Sequence, residues 1–362
     1  MDNEPAAAQA QQNVLEVKHL NKEFYSKRTG KKLKAVNDIS FTLKQGEMLS
    51  LIGKSGCGKS TLLRMLAGLL DADSGEVHYK GQPVSGPSQN LVPGHPDIKL
   101  VYQDYQLFPH MTLRENIAHV LLRYRPEWKA QRIAELLEIT QLREFEDNFP
   151  AELSGGQQQR LALAMAIASG PELLLLDEPF GSLDAYMRNR IIARVIDKLK
   201  GEGVTIVLVT HDTRDGLALS DKIGIVEKGS MVQLGTPWQV YRHPVSPYVA
   251  AFFGEANNLP AAFLQILPEA VRRQVMEANP GVKPKSGNHA VSIRPESMKL
   301  RKDVDGHFVL QVRKVRYMGS HWQVEGVTPE NFRLILYTEE QPGQGEEYGV
   351  TVKPAEVHVF EP

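Results

Sequence analysis

The sequence predicts an α/β protein built on a mostly parallel sheet, followed by a smaller all-β region. Three observations carry this. The apolar run Met48-Leu49-Ser50-Leu51-Ile52 ends in a glycine-rich turn, and an amphipathic stretch follows from Ser60 to Leu70. Strand, glycine loop, helix is how a parallel α/β sheet begins. Further apolar runs at 173–176 and 204–209 bracket a segment, 180–200, with the period of a crossover helix. From His289 the pattern becomes short alternating runs, at 308–317, 332–338 and 356–360, the texture of a small barrel or sandwich.

The remaining elements fall into this frame in order. Residues 1–13 are acidic and Ala/Gln-rich, lack an apolar secretory core, and are expected to form a disordered tail. The runs 15–17 and 39–43 alternate as half-buried strands, and the basic positions Lys22, Lys27, Arg28, Lys31, Lys32 and Lys34 read as a solvated hairpin. From about 104 to 168 the texture is helical, with Ile133, Leu136 and Leu137 on one face. His243-Pro244 and Ser246-Pro247 punctuate the chain near a boundary placed at 240/241, giving domains 14–240 and 241–362. Residues 264–279 read as partly helical, 81–99 are rich in Pro and Gly, and no internal repeat is evident.

Composition narrows the function. The chain has 362 residues and a formal charge of −1, enough for two domains and without the positive field of a nucleic-acid binder. Cys57 stands alone, so neither an intrachain disulfide nor a thiolate metal cluster can form, which fits a reducing compartment. No run of about 18 apolar residues occurs, so no span is expected, and work at a membrane would need a partner.

The chemistry concentrates in three places. Gly53-Lys54-Ser55-Gly56-Cys57-Gly58-Lys59-Ser60 fits the phosphate-binding pattern G-x-x-x-x-G-K-[ST], between a strand and a helix. Glycines let successive N–H groups turn inward onto phosphate oxygens, Lys59 would reach the β- and γ-phosphates, and Ser60 would ligate Mg²⁺. Thr61 extends the same contact set. The run 173–176 ends in Asp177, placed to hold Mg²⁺ through water, and Glu178, placed to polarise an attacking water. Ser154-Gly155-Gly156-Gln157 lies between these motifs.

That last stretch resembles the signature of ATP-binding-cassette (ABC) proteins. The resemblance implies a P-loop NTPase core with an inserted helical subdomain, and a signature that caps the ATP held by a second copy of the chain. It implies roles for Gln103, sensing Mg²⁺ and the nucleophilic water, and for Asp184 of Ser182-Leu183-Asp184, crossing the dimer interface. It also implies that His211 contacts the γ-phosphate and that Phe24 stacks on adenine, with Tyr25 as competitor. Ile293-Arg294-Pro295-Glu296 and Tyr317-Met318-Gly319-Ser320 look like the C-terminal oligomer-binding-type (TOBE-like) regulatory domain of importer ATPases. Met165 stands where such relatives commonly carry arginine. The implied cofactors are ATP and Mg²⁺. The implied partners are two transmembrane permease subunits docking near 103–116 and, indirectly, an extracytoplasmic solute-binding protein, with no nucleic acid. The implied place is the cytoplasmic face of the membrane. A soluble ABC ATPase acting on ribosomes or DNA, or a nucleotide sensor, is the alternative. Residues 254–260 suggest polyamine or ferric iron as cargo.

Overall fold

A computed structural model of the chain describes residues 13–25, 30, 32–101, 107–179, 185–280 and 290–361. The expected tail lies outside these residues except for Asn13, which pairs with Lys44 and so belongs to the first strand. Contacts divide the chain into two compact units, meeting at Pro237/Trp238.

In the first unit six strands lie in the order Ser230–Gly235, Lys222–Glu227, Met48–Ile52, Thr205–Thr210, Leu173–Asp177, Ile98–Val101. All are parallel except the first, which is antiparallel to its neighbour. The continuous apolar runs are explained by burial on both faces. Leu174, Leu176, Ile206 and Leu208 pack against the helices Leu113–Val120, Pro126–Ile139 and Gly155–Ala168 and the far part of Ala185–Gly201. Their alternates Leu173, Leu175, Val207 and Val209 face the helix Lys59–Leu66 and an antiparallel sheet. That second sheet contains the paired strands Asn13–Tyr25 and Lys32–Lys44.

The helix after the glycine turn stops at Leu66, short of the expected Leu70. Gly68, at φ +70°, reverses the backbone; its N–H bonds Met65 O at 3.0 Å and that of Leu69 bonds Arg64 O at 2.8 Å. This is a Schellman termination, which apolar spacing does not reveal. Met165 is buried among apolar residues of the helical face. Arg132, only 8% exposed, donates to the carbonyls of Ile167 at 3.0 Å and Ala168 at 3.3 Å, and pairs with Glu135 and Glu202. It closes the C-terminal end of helix Gly155–Ala168, where carbonyls otherwise lack partners.

The second unit holds a five-stranded antiparallel sheet, ordered Met298–Arg301, Glu347–Val352, Phe308–Tyr317, Trp322–Val327, Arg333–Thr338. A three-stranded sheet, Asn257–Pro260, Ala290–Ile293 and Val357–Phe360, completes the core. The helical reading near 264–279 resolves into a 3₁₀ turn, Ala261–Ile266, and the helix Glu269–Ala278. The division at Pro237/Trp238 lies close to the expected 240/241. Within the second unit, the Arg294 guanidinium stacks 3.9 Å from the Tyr241 ring centre and donates to the Tyr241 carbonyl at 3.2 Å. The Ile-Arg-Pro-Glu motif thus ties Tyr241 to the β unit.

Replacing Arg132 with Ala leaves two carbonyls and two carboxylates without their shared donor. The variant should lose about 3 kcal/mol of stability, the cost typical of breaking a buried pair, in urea unfolding followed by circular dichroism. An unchanged midpoint would remove Arg132 as the anchor of this helix.

Candidate functional site

Parallel pairing decides which side chains meet. Ile52 is level with Thr210, and Asp177 with Val209, so the residues just after three strands emerge along one carboxyl edge. Those residues are Gly53, Glu178 and His211. Ligand sites of open α/β sheets form at such edges.

Gly53 to Ser60 folds as a loop with no room for side chains at its ends. A Cβ on Gly53 would come within 2.3 Å of Val226 O, and one on Gly58 within 1.8 Å of Ala35 O. Gly56 and Gly58 take φ of +79° and +104°, which favour glycine. The Cys57 carbonyl accepts from Gly229 N at 3.0 Å, bracing the loop against a neighbouring turn. Lys59 is buried and its ammonium donates to Gly53 O at 2.7 Å and Lys54 O at 3.0 Å, so its charge sits inside the loop's curl. Gly58 caps helix Lys59–Leu66 without a side chain, and no acid lies in the first turn. The leading N–H groups of that helix therefore remain for an anion. Loop, lysine and helix end fit a polyphosphate. Lys54, Ser55 and Gly56 are exposed beside it.

Ser60 lies near enough to Asp177 to draw its carboxyl pKa downward, so the two residues proposed as Mg²⁺ ligands on sequence grounds are neighbours. Two neighbouring oxygen donors suit a hard divalent cation. Burial lifts the Asp177 carboxyl above the ordinary range; the Ser60 side chain works against this, and the nearby Glu178 charge adds to it. Glu178 departs from strand geometry at φ +49°, a left-handed conformation unusual for a non-glycine residue. Its N–H donates to Val209 O at 3.0 Å and its carbonyl accepts from Gln159 Nε2 at 3.2 Å. The turn brings the Glu178 carboxylate 3.2 Å from His211 Nδ1.

Ser154 begins helix Gly155–Ala168 in a reciprocal cap with Gln157: Gln157 N donates to Ser154 Oγ at 3.3 Å, and Ser154 N to Gln157 Oε1 at 2.7 Å. A Cβ on Gly155 would meet nothing within 4 Å, so this helix end is open. Phe24, 40% exposed, pairs with Leu33, two residues along the strand from Ala35, where that strand touches Gly58. At about 3.3 Å per residue this sets Phe24 near the phosphate loop, with Tyr25 next to it and more exposed. Gln103 and Ser182, Leu183 and Asp184 lie outside the described residues. Sequence reading missed Gln159 and the bracing by Ala35, Val226 and Gly229. Gln159 repeats a glutamine within Gln157-Gln158-Gln159, and only its burial (3% exposed) separates it from its neighbours.

The ABC transporter family matches residues 36–181, and the TOBE domain family residues 291–360. The Fe(3+) ions import ATP-binding protein FbpC of Escherichia coli O157:H7 is 35% identical over 350 residues, 95% of this chain and 97% of that protein. The spermidine/putrescine import ATP-binding protein PotA of Thermobifida fusca (strain YX) is 37% identical over 331 residues, covering 88% and 85%. A solved dimeric ATP-binding cassette in a post-hydrolysis state, bound to ADP and Pi, has a TM-score of 0.55 and 27% identity. It covers 62% of this chain and 98% of its own.

The raised Asp177 carboxyl has a consequence for stability. A carboxyl whose folded value exceeds its unfolded one binds protons more readily when folded, so its contribution falls as pH rises through that window. At neutral pH the charge is a cost to the ligand-free fold. Asp177→Asn, measured without nucleotide or Mg²⁺, should therefore melt higher than wild type at pH 7. The gap should close toward acid pH, and a lower melting point at pH 7 would refute the argument.

Proposed function

The chain belongs to the ATP-binding-cassette family of import ATP-binding proteins, as an ATPase of the importer type, and on that footing we propose how its residues divide the work. The observation that carries the reading is the convergence of Lys59, the Ser60–Asp177 pair and the Glu178–His211 pair along one sheet edge. ATP binds with its phosphates in the curl of residues 53–60, its γ-phosphate toward Glu178 and His211, and adenine against Phe24. Lys59 neutralises the β- and γ-oxygens, and the N–H groups of helix Lys59–Leu66 bind them. Mg²⁺ held by Ser60, Asp177 and Gln103 would draw charge from the bridging phosphate oxygens. Glu178 takes the proton of the attacking water, while His211 holds the Glu178 carboxylate in place and faces the γ-phosphate.

The site is completed by a second copy, whose Ser154-Gly155-Gly156-Gln157 caps the nucleotide and whose Asp184 crosses the interface. The open end of helix Gly155–Ala168 supports this, as does the dimeric state of the similar cassette. Two copies close on two ATP molecules and drive two permease subunits, to which an extracytoplasmic binding protein delivers solute. The permease contact lies within 103–116. Asn116, fully buried, supports it by bonding Phe108, Met111 and Thr112 and holding Phe108 partly exposed. Among the described residues no helix is long and apolar enough to cross a membrane. The proposed place of action is the cytoplasmic face, reached through the permease subunits. The unit from Trp238 onward serves as the regulatory domain. The cargo is a polyamine or ferric iron, the two classes that the relatives' names give.

Glu178→Gln keeps the fit of the side chain but not its basicity. Hydrolysis should fall about 10²- to 10⁴-fold with ATP binding retained, and the trapped ATP should shift the chain to dimer in gel filtration with Mg²⁺. Wild-type turnover in this variant would rule out Glu178 as the base.

Lys59→Ala should abolish ATP binding, and Ser154→Arg should allow binding but block closure. Mixed, the two variants place both defects at one of the two composite sites and leave the other whole. Full turnover by either variant alone would defeat the shared-site reading.

A further inference from the structure

The β unit carries a cleft of about 720 Å³ on the outer face of its five-stranded sheet, lined by Asn258, Arg313, Glu325, Val327, Arg333 and Ile335 among others. Three adjacent strands build it. Glu325 pairs with Ile335, and Val327 with Arg333, so these four side chains share the face turned away from the core. Arg313 arrives there by an irregularity. Val312 pairs with Gly326 and Lys314 with Glu325, leaving Arg313 as the unpaired residue of a bulge. Val312 points into the core at 0% exposure, while Arg313 and Lys314 are both exposed, so the bulge places two consecutive cations outside.

The charge balance of this face is uneven. Arg313, Lys314, Arg316 and Arg333 stand on it with two acids: Glu325, the one acid lining the cleft, which already pairs with Arg316, and Glu255, which accepts from Gln323 and Tyr337 outside the cleft. Among the described residues neither Arg313 nor Arg333 makes an ion pair. Glu330 lies in the adjoining turn but does not line the cleft. Two guanidinium groups in one concavity, each with a planar fork of donors, match oxyanions that take paired hydrogen bonds. Asn258 and Asn331 add amides, and Val327 and Ile335 an apolar floor.

We propose that this cleft is a binding site for a small organic anion carrying at least two carboxylate or phosphate groups, bridged between Arg313 and Arg333.

The test uses the full chain, with citrate and pyrophosphate as probes in isothermal titration, against sodium chloride at matched ionic strength. Saturable binding of at least one probe is expected, and Arg313→Gln or Arg333→Gln should each weaken it about tenfold or more, as loss of a charged hydrogen-bond pair does. Glu325→Gln, which removes the one carboxylate, should tighten it. Lys59→Ala, which disables the phosphate loop, removes the second place where pyrophosphate could bind and should leave citrate binding unchanged, separating this site from the nucleotide site. Absence of saturable binding by both probes, binding undiminished by either arginine substitution, or citrate binding lost in Lys59→Ala would each overturn the proposal. Both arginines are exposed, so circular dichroism should show unchanged folding in these variants.

Discussion

The first unit is organised around the lack of space at the phosphate loop. Backbone atoms of Ala35 and Val226 lie where side chains on Gly58 and Gly53 would have to be. They come from the antiparallel sheet and from strand Lys222–Glu227 of the central sheet, segments far apart in sequence. A loop able to wrap phosphate exposes its N–H groups inward, and by itself has little to hold that shape. Here the shape is held from outside: Gly229 donates to Cys57 O, Asn37 donates to Gly229 O, and Lys59 fills the interior. The two sheets must therefore be packed correctly before the loop has its form. Glycine at 53 and 58 is a packing requirement as much as a conformational one.

A second constraint follows from parallel strands. In-register pairing brings the ends of strands 48–52, 173–177 and 205–210 level, so a motif after each is delivered to the same edge. Chemistry then needs only a local change of direction. Glu178 supplies it by leaving the strand in a left-handed conformation, a departure costing about 1–3 kcal/mol for a residue with a side chain. The surrounding bonds to Val209 O and from Gln159 keep it there. Without the turn, strand alternation would set the carboxylate opposite to Asp177. With it, the carboxylate meets His211.

Much of this was legible in the residues. The central strands read as unbroken apolar runs because both their faces are covered, and the motifs at 53–60 and 177–178 carry their chemistry in residue type and spacing. The resemblance to ABC proteins added His211, which a strand-end histidine alone does not announce. What was not legible depends on long-range contact or local backbone. Leu70 lies beyond its helix because of Gly68, and Arg313 faces outward because of one extra residue in a strand. Arg294 stacks on Tyr241, some fifty positions earlier, a contact that spacing does not announce. Arg132 looked like part of a charged helix face, yet it is buried against the end of another helix. Periodicity locates faces, not partners.

Helix Gly155–Ala168 shows how such contacts join separate parts of the site. One turn in from Ser154, Gln159 holds the carbonyl of Glu178; at the far end Arg132 holds the carbonyls of Ile167 and Ala168. Leu161, Leu163, Ala164 and Ile167 bury it against the sheet between these points. A helix of 14 residues fixed this way transmits displacement as a body, because its backbone hydrogen bonds resist stretching. Any contact made at its open N-terminus is then felt at Gln159, within one hydrogen bond of Glu178. Glu178 in turn sits in a conformation that its neighbours, not its own preference, maintain. The position of the proposed base is thus sensitive to what Ser154 touches, even though in the proposed dimer Ser154 would serve the site of the other copy. Mutual dependence of two ATP sites needs no longer path than this one helix.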